Sequence, residues 1–414
     1  MRRNKSVTGK YPLRYAMYIV LFLLLASALA AFVFAQAFSD NYIIPRDVLD
    51  TGGGRDSSTN YIMEESIGQS TPIGESGSTN YRLYAGFQIP FPCEPVAPTN
   101  ATIIANRDSL CNYQGLAVIR WTPSSSPFYN IYRSTTDPFA GFTRIGTVPT
   151  AIDSFIDPIG ANTKAFYYVT GSCDSLGEAP ESDPSNRIGF VSIVCPQTSY
   201  TPFGLPFTFW DVVNCVPQYG VPTCKPSDII GAQFSAGSGA TGDRVIRQDN
   251  GLWAYRTTTP ALWAGPLEID GCMECGRAFN IWNRHSSAQT MVLAGEVDTS
   301  ACGPIWIAPN AWTPLSFRDA RVRPIRNINL LTSGFTGGTG ATSDRLIEQG
   351  TGSYAFFSTG SMTWVYYPTS FTSVSPGKAY RIWNRHGTGW NYNYGSGPVS
   401  RPPDRPDDNR ASSH

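Results

Sequence analysis

The chain has 414 residues, with 31 basic and 31 acidic side chains, 15% charged and 13% aromatic content, and 39 Gly and 32 Pro. Such a composition favours short β-strands joined by tight turns over helices. Without a basic excess, it also excludes general electrostatic attraction to nucleic acid or anionic lipid.

The first segment carries Arg2, Arg3, Lys5, Lys10 and Arg14, then an apolar run over residues 15–34, then "AQA" at 35–37. Basic, apolar and small-x-small segments in that order read as a secretory signal peptide over residues 1–37, cleaved after Ala37. The rival reading is an uncleaved anchor, because the run approaches the ~20 residues that span a bilayer. Membrane contact is expected only in that second case. Either way the expected location is secreted or cell surface. Cleavage leaves 26 basic against 31 acidic residues, a mildly acidic chain.

Residues 38–92 hold S-T-N-Y at Ser58 to Tyr61 and again at Ser78 to Tyr81. Each copy leads into an alternating stretch, so this segment is expected to form short strands with Gly and Pro turns. A Pro-rich linker follows over residues 89–100. Next come "LAVIRW", "YNIYRST", "FTRIGTV", "DSFIDP" and "KAFYYVTGSC", alternating segments at short regular spacing that predict an antiparallel sandwich over residues 93–196.

These residues resemble the fibronectin type III family: Trp121 ending one strand, "YNIYRS" in the next, the "SFIDP" return, "FYYV", and the "GEAPESDPS" exit. The resemblance covers about residues 98–194 and implies a spacer and adhesion scaffold without chemistry of its own. The integrin-type R-G-D loop is absent and four cysteines depart from the usual pattern. In the implied topology Cys93 reaches Cys173 and Cys111 reaches Cys195, whereas Cys111 to Cys173 would span the length of the sandwich.

Residues 231–285 align with 332–386 at a constant offset of 101, with 20 of 55 positions identical, including the closing "IWNRH". One module has been copied. Upstream, "YTPFGLPF" at Tyr200 and "WTPLSF" at Trp312 occupy comparable places, which sets the copies at residues 197–310 and 311–397. Strands are expected at "DRVIRQ", "GLWAYRT" and "RAFNIWNRH". The expected fold class is therefore all-β and multi-domain: a sandwich plus two tandem β-rich modules.

In a strand, Phe279, Ile281, Asn283 and His285 share one face, and Asn280, Trp282 and Arg284 the other. In the second copy Tyr380, Ile382, Asn384 and His386 oppose Arg381, Trp383 and Arg385. Trp282, Arg284, Trp383 and Arg385 then form either a structural cover or a flat platform for sugar rings, flanked by hydrogen-bond donors. A polymer spanning both platforms would gain by avidity. Asp243 and Asp344 are equivalent acids that shape a turn or, as the rival reading, ligate a cation or orient a substrate.

The only histidines are His285, His386 and His414, and no nucleophile-elbow, His-Glu-x-x-His or phosphate-loop motif occurs. No catalytic residue, metal or cofactor is assigned. Nothing marks a carboxylate pair, which need not be close in sequence. Nine cysteines in an exported chain point to disulfides. Cys215, Cys224, Cys272 and Cys275 form a set that could hold zinc but is expected to make two disulfides, with Cys215 closing on Cys224 or bonding across to "CMEC". Cys302 is expected to be the unpaired thiol. Residues 398–414 read as a disordered tail.

The leading expectation is a non-catalytic extracellular or cell-surface binding or structural protein, of adhesion type. Its expected partner is an extracellular polysaccharide or a surface protein, and the oligomeric state is open. The alternatives are an accessory carbohydrate-binding protein and a hydrolase with an unrecognised site.

Overall fold

The computed structural model describes residues 93–106, 114–176, 180–239, 241–258, 263–298 and 302–393, and the backbone of four strands before them. Residues 1–37, read from the sequence as a signal peptide, Cys111 and residues 398–414 lie outside the described residues. The chain divides into two compact units, residues 1–92 with 403–414, and residues 93–402.

In the first unit, β1 (Gly52–Ser58) pairs with β2 (Tyr61–Ile67), and β3 (Gly74–Ser78) pairs with β4 (Tyr81–Ala85). Ser58 faces Tyr61 and Ser78 faces Tyr81 across the ladders, so each S-T-N-Y marks the tip of a hairpin.

The second unit starts with a sandwich. One sheet joins β5 (Thr99–Ala105), β6 (Leu116–Thr122) and β9 (Ser154–Pro158). The other joins β8 (Thr143–Pro149), β7 (Phe128–Ser134), β10 (Lys164–Ser172) and β11 (Ile188–Cys195) in that order. This three-plus-four arrangement is that of a fibronectin type III-like sandwich. Ile119, Trp121, Tyr129, Ile131, Tyr167 and Phe190 fill the space between the sheets, because alternate residues on each strand point inward. Trp121 meets Tyr129 edge-on at 5.6 Å. Buried Asp157 accepts Arg133 Nη1–H with both carboxylate oxygens at 3.0 Å and the Tyr167 hydroxyl at 2.7 Å, tying the two sheets. Cys93 is bonded to Cys173, with Cα atoms 5.7 Å apart.

The first module forms a five-stranded sheet. From edge to edge it runs β12 (Ser199–Gly204), β18 (Ala278–Asn283), β15 (Arg244–Arg247), β16 (Trp253–Arg256), β17 (Trp263–Ala264). A hairpin of β13 (Trp210–Val213) and β14 (Val216–Pro222) and two one-turn helices, Pro226–Ile229 and Pro266–Ile269, close its core. Each of the fully buried Phe203, Phe279 and Ile281 contributes about 1.5–3 kcal/mol by leaving water.

The second module repeats the sheet as β21 (Ala311–Ser316), β27 (Ala379–Asn384), β23 (Arg345–Glu348), β24 (Tyr354–Ser358) and β25 (Thr363–Tyr367). It adds the short pair β22 (Arg323–Pro324) and β26 (Ser373–Val374). The β15–β16 and β23–β24 turns carry Gly251 and Gly352 at φ +72° and +73°, a left-handed backbone that glycine adopts without cost from a Cβ.

The duplication reaches further than the alignable sequence. β19 (Gln289–Glu296) pairs with β11, setting Ile193 against Met291 and Cys195 against Gln289. β20 (Ile305–Ile307) pairs with β28 (Trp390–Tyr392), setting Ile305 against Tyr392 and Ile307 against Trp390. These are the same pairs at corresponding places. The end of β11 is thus the last strand of the sandwich and an outer strand of the first module at once, and β19 widens the sandwich sheet to five strands.

That equivalence explains Cys195, which was expected to pair with Cys111 and is instead free and buried. Its counterpart in the second module is Ile307, which is 0% exposed, so Cys195 serves as a small core hydrophobe. Cys302, expected to be the unpaired thiol, is bonded to Cys275. Cys224 is bonded to Cys272 across the module rather than to Cys215, and Cys215 is itself disulfide-bonded. Thiolates for zinc are consumed by these bonds.

Candidate functional site

The outer face of each module sheet gathers aromatic and arginine side chains by register. Tyr200, Trp282, Arg244 and Tyr255 stand opposite one another across four strands of the first module. Trp312, Trp383 and Arg345 do so in the second. The inner faces take Phe279, Ile281 and Asn283, or Tyr380, Ile382 and Asn384, all 0% exposed.

Trp282 and Trp383 do not offer open platforms. Tyr200 stacks on Trp282 at 4.9 Å and 27°, while the Arg284 guanidinium lies 3.8 Å over the same ring. Trp312 stacks on Trp383 at 4.6 Å and 27°, with Arg385 at 3.8 Å. A ring and a guanidinium at such distances would overlap if they shared a face, so each Trp is held between the two. What faces outward is the next layer. Tyr200 is 51% exposed and Trp312 is 41% exposed, the latter with exposed Arg381 at 4.6 Å over its ring. Arg244 lies 4.8 Å over Trp253, and Arg345 lies 4.7 Å over Tyr354.

The cations crowd one another. Burial, followed by repulsion from Arg244, lowers the pKa of Arg284, and burial followed by repulsion from Arg345 does the same to Arg385. Among the described residues, Arg244, Arg345, Arg381 and Arg385 form no ion pair with a carboxylate, unlike Arg133, Arg247, Arg277, Arg318, Arg321 and Arg323. Arg244 and Arg345 spend donors on the carbonyls of Gly239 and Gly340.

Asp243 and Asp344 hold this face in place from within. Asp243 accepts from the backbone N–H of Ser235 at 2.8 Å and of Arg284 at 2.7 Å. Asp344 does the same for Thr336 at 2.8 Å and Arg385 at 2.9 Å. Both carboxylates are 0% exposed. Each spans from the Gly-rich loop to the strand end and fixes the arginine's backbone. Asn283 and Asn384 accept from the N–H of His285 and His386, each at 2.9 Å, and donate to the carbonyls of Ser287 and Thr388, so "NRH" is a closed turn. His285 contacts Ser235, and His386 Nε2 lies 3.7 Å from Asp344.

Trp282 with Arg284, and Trp383 with Arg385, the residues singled out from the sequence, lie in contact within each module. Sequence reasoning missed Tyr200 and Trp312, although an aromatic at the head of "YTPF" and "WTPL" was visible in both copies. A separate cleft of about 420 Å³ lies between the copies, floored by Phe207, Phe209, Met273 and Ile305 and flanked by Arg277, Glu274 and Arg318. Its rim charges pair among themselves and with Asp249 and Asp298. No group of three or more metal-ligating side chains occurs among the described residues.

Fold and face together define an all-β protein of several modules, held by disulfides, with a fibronectin type III-like sandwich ahead of the two copied modules. A solved structure, an Fn3-like protein from Clostridium thermocellum, is similar over 22% of this chain and 88% of that one, at 25% identity and a TM-score of 0.18. No protein-family model and no curated protein matches the sequence. The disulfides fit an oxidising compartment. No helix among the described residues is long and apolar enough to cross a membrane.

Proposed function

We propose that this is a non-catalytic extracellular or cell-surface binding protein, in which the sandwich acts as a spacer and the tandem modules contact a glycan through their outer faces. One observation supports the reading. Both copies keep the same stack of an exposed aromatic, an inner Trp and a guanidinium, in which the arginines of the second copy have no carboxylate partner. A purely structural cover would be served by neutralised or apolar side chains. An exposed ring beside guanidinium groups that have no carboxylate partner, although Arg345 and Arg385 each give one donor to a loop carbonyl, suits the apolar face of a sugar and its polar edge.

The test is retention on a panel of neutral and acidic polysaccharides, comparing wild type with Tyr200→Ala/Trp312→Ala. Both positions lie on edge strands and are well exposed, so the variant should stay folded by circular dichroism. Loss of retention in the folded variant is the expected result. Equal retention by both proteins would remove these rings from the contact surface and return the stacks to packing.

A further inference from the structure

We propose that the two outer faces hold two separate anionic glycan chains, so that the protein bridges chains rather than gripping one chain twice. This rests on the glycan-binding reading above and adds the ligand's charge and the geometry of its capture.

The geometry comes from how the copies meet. Gly204 N–H donates to the Gly377 carbonyl at 3.1 Å, and Ser316 N–H donates to the Gly276 carbonyl at 2.8 Å. Gly204 and Ser316 end corresponding strands, and Gly276 and Gly377 correspond at the offset of 101. Gln349 bonds to its own counterpart, Gln248, at 2.9 Å. When residue i of one copy touches j of the other, j touches i, and a residue meets its own equivalent, the two bodies are related by a two-fold axis. The tandem modules therefore make an internal pseudo-dimer with its axis at Gln248 and Gln349. Tyr200 and Trp312 stand four residues up their strands from Gly204 and Ser316, about 13 Å at the usual rise.

A two-fold rotation reverses any direction perpendicular to its axis. A straight chain joining both faces crosses the axis, so it enters one face in the opposite sense to the other. Glycan chains have a reducing and a non-reducing end, and one chain cannot present the same sequence of groups to both faces. Two chains lying antiparallel can. The internal symmetry thus argues against the single-chain avidity that tandem repeats first bring to mind.

The anionic class follows from guanidinium groups that have no carboxylate partner among the described residues, Arg345 and Arg385 being held only by the carbonyls of Gly340 and Ala341. In the second module Arg345, Arg381 and Arg385 all lie over rings, and exposed Arg381 ends the stack. The nearby acid, Asp344, is buried with its oxygens committed to backbone N–H groups. A carboxylated sugar gives such a face both a ring to stack and a charge to pair. In the first module Asn280 replaces Arg381, so the second face should be the tighter.

The experiment measures stoichiometry by calorimetry and ultracentrifugation, using an oligogalacturonate long enough to reach from one face to the other. Wild type is expected to bind two oligomers. Tyr200→Ala and Arg381→Glu, each altering one face, should bind one, with the remaining face unchanged within about twofold, and long polygalacturonate should be cross-linked by wild type alone. One oligomer per wild-type molecule, with an affinity on the order of 10²–10⁴ above either variant, is the signature of one chain spanning both faces and overturns the bridging geometry. No binding of the acidic probe overturns the anionic class. If retention on neutral polysaccharides persists in that case, the glycan-binding reading survives without it.

Discussion

Replacing Asp344 by Ala removes the acceptor for two backbone donors, the N–H groups of Thr336 and Arg385. Neither can turn to water easily, because the carboxylate site is 0% exposed. A buried donor left without a partner costs about 1–3 kcal/mol, so the pair should cost about 2–6 kcal/mol. Asp344→Asn keeps one acceptor oxygen and should cost roughly half as much. Thr336→Ala leaves the N–H in place at an exposed position and should stay within about 0.5 kcal/mol of wild type. Urea denaturation of the four proteins, read as midpoint shifts at constant m, provides the comparison. If Asp344→Ala falls within the same ~0.5 kcal/mol as the control, the carboxylate is not the pin that joins loop to strand, and the ordering of the arginine face needs another cause.

Three further outcomes are expected. Burial pushes the Cys195 thiol up to about 12, so iodoacetamide should modify it only after denaturation, as peptide mapping will show; modification of the native protein would contradict its core placement. Burial also raises the Glu296 carboxyl above its ordinary value, against the hydrogen bond donated by Asn186. The native state then holds that proton to higher pH than the unfolded chain, so stability should fall as pH rises from the ordinary carboxylate range through the raised value. Glu296→Gln should flatten that part of the profile, and an unchanged slope would refute the assignment. Finally, a side chain at Gly204 would run into Ser316 and approach the Lys378 carbonyl to 2.8 Å, so Gly204→Ala should cost about 1–3 kcal/mol. Adding Ser316→Gly should restore part of it, measured by the same denaturation series.

Much of the fold was legible because it is written locally. Period-two alternation located the strands from β6 to β10, and the offset of 101 located β15, β16 and β18 with their counterparts. The inward set Phe279, Ile281 and Asn283 was readable from alternation alone. What could not be read is what depends on distant pairing. The outer partner of β11 is β19, separated from its end by 93 residues, and no local pattern announces that a strand will serve two bodies. Cys195 was misassigned for the same reason: its identity with a core position appears only when "IVC" is laid over "IWI". Alternation sets the inner Trp residues opposite the buried set, but it says nothing of what stacks on a face. Tyr200 and Trp312 therefore changed the site from an open Trp to a covered one.

The shared strand has a consequence in time. As a chain is made from its N-terminus, β11 is complete before any of the 93 residues that separate it from β19. At about 5–20 residues per second, its outer edge waits for about 5–20 s with unpaired N–H and C=O groups beside Val191 and Ile193. During that interval the sandwich is a half-finished sheet able to accept any passing strand, including one from a neighbouring chain. In the second module β20 waits for β28 in the same way, across 82 residues, but it is a three-residue strand and leaves a shorter edge open than the eight-residue β11. The order in which the chain emerges thus places its most exposed moment between the sandwich and the first module.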